Sequence, residues 1–166
     1  MKQGEKTILL IIAACLAVVG GIRLYTSAHN KQVDKGIPFY STASPALAHE
    51  AEILYEHNNC SDCHTLWATR DMMQNVPSPM LDGIGSLRSE TWFYTYFSAK
   101  NPQDILPSRL KKKYQMPSYA QLPEHQRRVL AQYMASLKVK NWYLEQTRKA
   151  EYEKLTGKPY KQTKAP

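Results

Sequence analysis

The hydrophobic and polar positions divide the chain into one uninterrupted apolar run followed by several amphipathic segments. Residues 7–22 carry no charge, whereas apolar residues beyond position 43 recur three and four positions apart among polar ones. Side chains with that spacing lie on one face of an α-helix. The pattern predicts an all-α chain, with one apolar helix near the start and four amphipathic helices after it.

Three of the amphipathic helices lie in the central part of the chain. Ser44 is an N-cap followed by Pro45 in the first helical position, and Ser89 caps the second helix. The third helix runs from Pro123 to about Leu137. The apolar stripes are Leu47, Ala51, Leu54 and Tyr55 in the first helix, Trp92, Phe93, Tyr96 and Phe97 in the second, and Val129, Leu130, Tyr133, Met134 and Leu137 in the third. Each stripe predicts the buried face of its helix.

A fourth amphipathic helix follows in residues 138–166, beyond the central domain. Asn141 can cap it and Gly157 closes it. Its apolar stripe is broken by Arg148 and Glu151, so two roles stay open. The helix either folds back over the domain or docks on a partner protein. The last residues, from Lys158 on, are predicted to be a disordered basic tail.

The apolar run near the start predicts a membrane anchor. It approaches the ~20 residues needed to cross a bilayer, and Lys2 and Lys6 precede it. Positive charge at the amino end predicts that the chain starts inside and that the following domain lies outside. We therefore expect a single transmembrane helix within residues 1–25, in contact with membrane lipid, and a polar linker over residues 26–43.

Two alternatives to the anchor stay open. One is a cleaved signal peptide that ends near residues 26–28, and the other is a lipoprotein signal that uses Cys15. All three interpretations export the domain. We therefore expect it at the bacterial inner membrane, on the periplasmic side.

The candidate chemistry is concentrated in the motif Cys60-Ser61-Asp62-Cys63-His64. Two cysteines separated by two residues and followed by histidine form the attachment sequence of c-type haem. The two thiols add to the haem vinyl groups, and His64 binds the iron. A tight helical turn that starts at Cys60 lets both sulfurs reach one edge of the porphyrin. The motif predicts one covalently bound haem c.

Other uses of paired cysteines fit the motif less well. The alternatives are a disulfide, half of a zinc site and a thioredoxin-like redox pair. Zinc would require a second pair of ligands at similar spacing, and a redox pair gives no reason for His64. The third cysteine, Cys15, lies in the apolar run, so haem attachment leaves no pair for a protein disulfide.

Met116 is the predicted second axial ligand of the iron. It lies in the loop before the third helix, far enough from His64 in sequence to reach the opposite haem face. Its thioether is a soft, uncharged ligand that favours ferrous iron. Met72 and Met73 are alternatives that a short loop disfavours. The histidines His29, His49, His57 and His125 are predicted to be surface or linker residues, with His125 as a second choice of ligand.

Charge separates the central segment from the two ends of the chain. The net charge is +8, yet residues 47–137 hold nine basic and nine acidic side chains. Within this neutral segment, Arg109 and Lys111–Lys113 form a basic run just before Met116. The run either steers an acidic redox partner or only keeps a loop soluble. Export makes nucleic acid an improbable partner, and the sequence contains no phosphate-binding loop.

Residues 44–137 resemble the class I cytochromes c. The resemblance rests on a helix that leads into Cys60-Ser61-Asp62-Cys63-His64, a Pro-x-Leu-x-Gly-x-Gly segment at residues 79–85, Met116-Pro117, and a closing helix that contains Tyr133. It implies a small helical domain around one haem. It also implies that the carbonyl of Pro79 accepts a hydrogen bond from His64 and orients the ring. Ser78 stands where the family usually has glycine.

An electron carrier is the function that the resemblance implies. With His64 and Met116 both bound to iron, no open site is left for a substrate. The alternatives are a haem-based redox enzyme or gas sensor with a labile sixth ligand, and a structural subunit whose haem is vestigial. One anchor and one haem make the layout similar to the monohaem subunits of nitric oxide reductases and cbb3-type oxidases. The expected partners are therefore a redox protein or the subunits of a membrane respiratory complex.

Overall fold

The computed structural model of the chain describes residues 3–29, 35–67 and 78–161. They belong to two compact units, Met1–Gly36 and Ile37–Pro166. The haem-attachment motif and all four amphipathic helices lie in the second unit.

The first unit contains α1 (Gln3–His29), the helix that the apolar run predicted. Within the part of the chain that the structure describes, no helix is both long and apolar enough to cross a membrane. The uncharged residues 7–22 rise only about 24 Å as a helix, whereas the hydrocarbon core of a bilayer is about 30 Å thick. The predicted N-terminal transmembrane helix is therefore wrong. The layout comparison with monohaem subunits of reductases and oxidases rested on that anchor and loses its basis.

The second unit contains the four amphipathic helices and two short strands. These elements are β1 (Phe39–Ser41), α2 (Pro45–His57), α3 (Glu90–Ser98), α4 (Glu124–Ser136), β2 (Leu137–Val139) and α5 (Asn141–Thr156). Two of the predicted N-caps, Ser44 and Ser89, are confirmed. The hydroxyl of Ser44 accepts from the backbone N–H of Leu47, and that of Ser89 accepts from Trp92, each at 3.2 Å.

The core of this unit forms where α4 packs against α2 and α3. It consists of Ala51, Leu54, Tyr55, Ile84, Phe93, Tyr96, Phe97, Tyr119, Val129, Leu130, Ala131, Tyr133, Met134 and Leu137. The predicted stripes are confirmed as its contributors, although Leu47 and Trp92 are only half-buried. Trp92 is stacked on Tyr96, with ring centroids 5.0 Å apart. The three helices thus form a scaffold from which the intervening loops project.

The two glycines of the Pro79–Gly85 segment allow a tight turn and a close approach to the backbone of α4. Gly83 adopts φ 78°, a left-handed conformation that glycine takes without strain. A Cβ on Gly85 would collide with the carbonyl oxygen of Ala135. The segment therefore lies directly against the last turn of α4, a contact that the turn signals did not reveal.

The two strands are a feature that the all-α prediction missed. β1 pairs with β2 in antiparallel register, with Phe39 opposite Val139 and Ser41 opposite Leu137. Leu137 and Val139 are buried, so the pair covers part of the core. Three-residue strands are too short to give a readable alternation, and their partners are distant in sequence.

Helix α5 folds back onto the preceding elements of its unit, which is one of its two predicted roles. Its N-cap is Lys140 rather than Asn141, and it ends at Gly157 in the left-handed conformation. The ring of Tyr143 packs edge-on against Phe39 at 5.5 Å. At the other end, Arg109 Nε donates to the carbonyl of Lys154 at 3.0 Å. Both ends of the helix are therefore tied to the domain.

Candidate haem site

The motif begins in a tight turn at the end of α2. Asn59 adopts φ 53°, which turns the chain out of the helix, and residues 60–62 form one 3₁₀ turn. The backbone N–H groups of Cys63 and His64 both donate to the carbonyl of Cys60, at 3.2 and 2.9 Å. This is the turn that the cysteine spacing predicted.

The ring of His64 is oriented by a backbone carbonyl. Its Nδ1 lies 2.9 Å from the oxygen of Pro79. A carbonyl can only accept, so Nδ1 carries the proton and the lone pair of Nε2 is free for a metal. Burial lowers the pKa of His64, and the contact with Pro79 acts in the opposite direction. A neutral imidazole is the form that ligates iron.

The backbone around His64 is also fixed. The hydroxyl of Tyr55, on α2, donates to the carbonyl of His64 at 3.0 Å. The N–H of Leu81 donates to the carbonyl of Thr65 at 3.0 Å. The Pro79–Gly85 segment and α2 therefore both hold the motif in place.

The two motif cysteines are partly buried and unpaired. Burial raises the pKa of the Cys60 thiol to about 11, and a hydrogen bond with Tyr119 acts against that shift. Burial likewise raises the pKa of Cys63. A thioredoxin-like pair needs a lowered thiol pKa, so the alternative of a redox pair finds no support. Among the described residues, no group of three or more His, Cys, Asp or Glu side chains could hold a metal ion, which also disfavours zinc.

A large apolar cavity opens beside the motif. Its empty volume is about 1000 Å³, including space open to solvent. The walls come from α2, the motif, residues 78–84, α3, the loop 103–116, α4 and α5. Most of the lining side chains are aromatic or aliphatic, as expected for a site that encloses a large planar apolar group. The residues present therefore fit a haem.

The structure brings four of the five predicted cofactor-binding residues to this cavity. Cys60, His64, Pro79 and Met116 line it, and Cys63 lines an adjoining cavity. Both cavities share Ser78 and other wall residues.

The loop that carries Met116 is held by side-chain bonds to backbone carbonyls. Gln103 Nε2 donates to the carbonyl of Met116 at 3.0 Å, and the hydroxyl of Ser118 donates to that of Ala99 at 2.8 Å. Met134, a core residue of α4, also lines the cavity. Met72 and Met73 lie outside the described residues. Ligation by Met116 therefore stays a prediction.

The alternative histidine ligands lie away from the cavity. His49, His57 and His125 are exposed, as predicted, and none of them lines it. His125 Nε2 is 2.7 Å from a carboxylate oxygen of Glu50. The side chain of His29 lies outside the described residues.

The cavity wall includes Tyr119, Arg88 and Glu151, which the sequence-based site left out. Tyr119 is buried beside Cys60, and burial raises the pKa of its hydroxyl. Arg88 and Glu151 line the cavity and form an ion pair. Tyr119 follows Met116 closely enough to be a candidate, whereas nothing in the sequence links Arg88 with Glu151.

Comparison with protein families supports the same assignment. The family model described as cytochrome c matches residues 48–138, which is more than half of the chain. The matched range contains Cys60, Cys63, His64 and Met116 and ends before α5. Comparison with curated proteins and with solved structures found no match.

Proposed function

The chain belongs to the cytochrome c family, and on that premise we propose that it is a monohaem electron carrier with His64 and Met116 as its axial ligands. The family binds covalently attached haem c, typically one per domain, and its domain is typical of electron-transfer proteins. The axial pair and the choice of partner go beyond family membership. The described residues support them as follows.

The observation that carries the proposal is the fixed His64 ring in the apolar cavity that Met116 also lines. Bound haem supplies an iron that gains and loses one electron between the ferrous and ferric states. His64 offers Nε2 because Pro79 holds Nδ1. Met116 offers a thioether, a ligand that favours the ferrous state. When both axial positions are filled, a substrate has no place to bind.

Optical spectroscopy of the haem-loaded protein tests the proposal. A methionine bound to ferric haem gives a weak absorption band in the red. We expect that band in the oxidised protein and no spectral change when carbon monoxide is added to the reduced protein. Loss of the red band together with ready binding of carbon monoxide would instead favour the redox enzyme or gas sensor, which needs a labile sixth ligand.

The basic run beside Met116 supports docking of an acidic redox partner. Lys111, Lys112 and Lys113 are exposed. Lys113 Nζ lies 4.7 Å from the ring centroid of Tyr114. Tyr114 lines the cavity and is 41% exposed, so it reaches from the cavity to the surface beside Lys113. We propose Lys111, Lys112, Lys113 and Tyr114 as the docking surface. Arg109 is not part of it, because its side chain is hydrogen-bonded to α5.

The proposed cellular location rests on the sequence alone. We propose that the chain is exported and that its haem domain lies on the periplasmic side, and this stays a prediction. Association with a respiratory complex is likewise a proposal, which mild extraction and identification of the co-purifying subunits would test.

A further inference from the structure

Helix α5 contributes to the wall of the haem cavity although it lies beyond the family match, which ends at residue 138. Glu151 and Leu155, one helical turn apart, both line the cavity. Glu151 also lines the adjoining cavity beside Cys63. The C-terminal extension is therefore part of the cofactor site.

Arg88 and Glu151 are the only Asp, Glu, Lys or Arg side chains among the described residues that line the haem cavity. Arg88 Nη2 lies 3.0 Å from a carboxylate oxygen of Glu151, and the two side chains are 23% and 12% exposed. One charge of the pair comes from the matched domain and the other from the extension. Among the described residues, the carboxylate in the wall of this cavity thus comes from α5, while Asp82 lines the adjoining cavity beside Cys63.

Both members of the pair are held in place. The guanidinium of Arg88 lies 5.1 Å from the ring centroid of Trp92 and donates to the carbonyl of Leu87 at 3.1 Å. Glu151 is held because α5 is tied to the domain near both ends, through Tyr143 and Lys154. The carboxylate therefore keeps a fixed position at the cavity wall.

We propose that Glu151 is a positioning residue through which α5 lowers the reduction potential of the haem, by holding Arg88 and offsetting its positive charge. This rests on the proposed electron-transfer function. Ferric iron carries one more positive charge than ferrous iron, so a nearby carboxylate favours the ferric state and a nearby guanidinium favours the ferrous state. Such effects are strong in a poorly solvated cavity. Partial exposure of the pair reduces them.

Burial and the contact with Arg88 act on the Glu151 carboxyl in opposite directions. Burial raises the pKa of the Glu151 carboxyl, and the charge and hydrogen bond of Arg88 lower it. Arg88 therefore favours the ionised form of this half-buried carboxyl. The one-electron reduction of the iron involves no proton transfer in this proposal.

The test is a redox titration of the haem-loaded full chain carrying Glu151→Gln. Removal of the negative charge should raise the reduction potential. The expected change in the one-electron equilibrium constant is about two- to tenfold, and a tenfold change corresponds to about 59 mV. Glu153→Gln is the matched control, because it makes the same charge change on the same helix at a residue that does not line the cavity. Its potential should stay close to that of the wild type.

Arg88→Gln supplies the second measurement and guards against a structural explanation. It removes the positive charge, so the potential should fall. Opposite shifts in Glu151→Gln and Arg88→Gln would support an electrostatic role. Shifts of the same sign would indicate a loosened cavity and would overturn the proposal, and so would a Glu151→Gln potential that matches the Glu153→Gln control. The conservative Glu151→Asp keeps the negative charge, so its potential should lie closer to that of the wild type than the potential of Glu151→Gln does.

The proposed electron-transfer function fails separately. A wild-type protein that takes up haem but does not titrate reversibly would overturn that function and, with it, this inference. If the wild type titrates reversibly and Glu151→Gln does not shift, only the inference fails. Haem attachment and the absorption spectrum, recorded for each variant, show that the potentials belong to correctly loaded protein.

Discussion

The two segments that bring the predicted iron ligands to the cavity are held in different ways. In the His64 segment, residues 60–65, the ligand ring itself is bound at Nδ1 to Pro79. The backbone of the same residue accepts from Tyr55 and donates to Cys60. In the Met116 segment, residues 103–119, the bond from Gln103 reaches only the backbone of the ligand residue.

This difference separates two tasks of a redox site. A ring that is oriented by the fold is ready to bind iron at one defined angle, which suits attachment. A methionine side chain is unbranched and has three rotatable bonds, so its orientation depends on the loop and on the iron. We therefore expect changes in the His64 segment to abolish or destabilise cofactor binding. Changes in the Met116 segment should instead alter the potential and the interaction with partners.

The largest effect should come from the cysteines of the His64 segment. Cys60→Ala together with Cys63→Ala removes both thiols that can form thioether bonds, so no haem should remain bound to the chain after denaturation. Each single variant should keep one thioether. Staining of denatured protein on a gel for haem peroxidase activity measures this, and full staining of the double variant would contradict covalent attachment through the motif.

Replacement of the second ligand should preserve attachment and change the potential. Imidazole favours ferric iron more than a thioether does, so Met116→His should lower the midpoint potential. We expect a shift larger than the ~59 mV that corresponds to a tenfold change in the one-electron equilibrium. The measurement is a redox titration of haem-loaded protein.

Met134→Leu is the matched control for that titration. Met134 also lines the cavity, and exchange of methionine for leucine keeps its volume and typically costs less than about 1.5 kcal/mol. The potential of this variant should stay near that of the wild type. A large shift in Met134→Leu and none in Met116→His would move the axial ligand to α4.

The His64 segment could be predicted from the sequence because its functional residues are close neighbours in the chain. Both cysteines and His64 lie within five residues, and the turn that joins them follows from their spacing. Helix caps at Ser44 and Ser89 were equally local, since each closes its own first turn. Met116 was a candidate because of its place before the last helix of the domain.

Contacts between distant parts of the chain could not be predicted in this way. The pairing of β1 with β2 and the ion pair of Arg88 with Glu151 join residues whose sequence context carries no sign of a partner. The close approach of Gly85 to Ala135 is likewise a tertiary contact. The transmembrane prediction failed for another reason, because it depended on the length of one apolar run.

Loss of the hydrogen bond that holds each segment should affect stability in both cases but methionine ligation in only one. Tyr55→Phe and Gln103→Leu each remove one side-chain bond to a ligand residue's carbonyl, and each should lower the free energy of unfolding by about 1 kcal/mol. Only Gln103→Leu should also reduce the fraction of protein with methionine bound to iron. Chemical denaturation and the red absorption band measure the two quantities. Equal loss of the band in both variants would remove the distinction between the segments.

The smallest effect should come from the surface charges of the Met116 segment, and only at low salt. Lys111, Lys112 and Lys113 are exposed beside Tyr114, which reaches the cavity. Reversal of all three lysines to glutamate should slow electron transfer to an acidic blue-copper protein on the order of tenfold at low ionic strength, because charge steers the encounter. The potential should change little, because solvent screens these exposed charges.

Salt provides the internal check on this steering. The Debye length falls to about 8 Å at physiological ionic strength, so the difference between the variant and the wild type should shrink as salt is added. Reversal of Lys149, Lys158 and Lys161 is the matched control, because these exposed lysines of the C-terminal region carry the same total charge.

A permanently bound partner subunit would make diffusion irrelevant, and the variant would then show normal turnover or fail to assemble. If the two triple variants transfer electrons at equal rates at every ionic strength, the lysines beside Tyr114 have no special role in docking. The Met116 segment would then differ from the His64 segment only in how it holds its ligand.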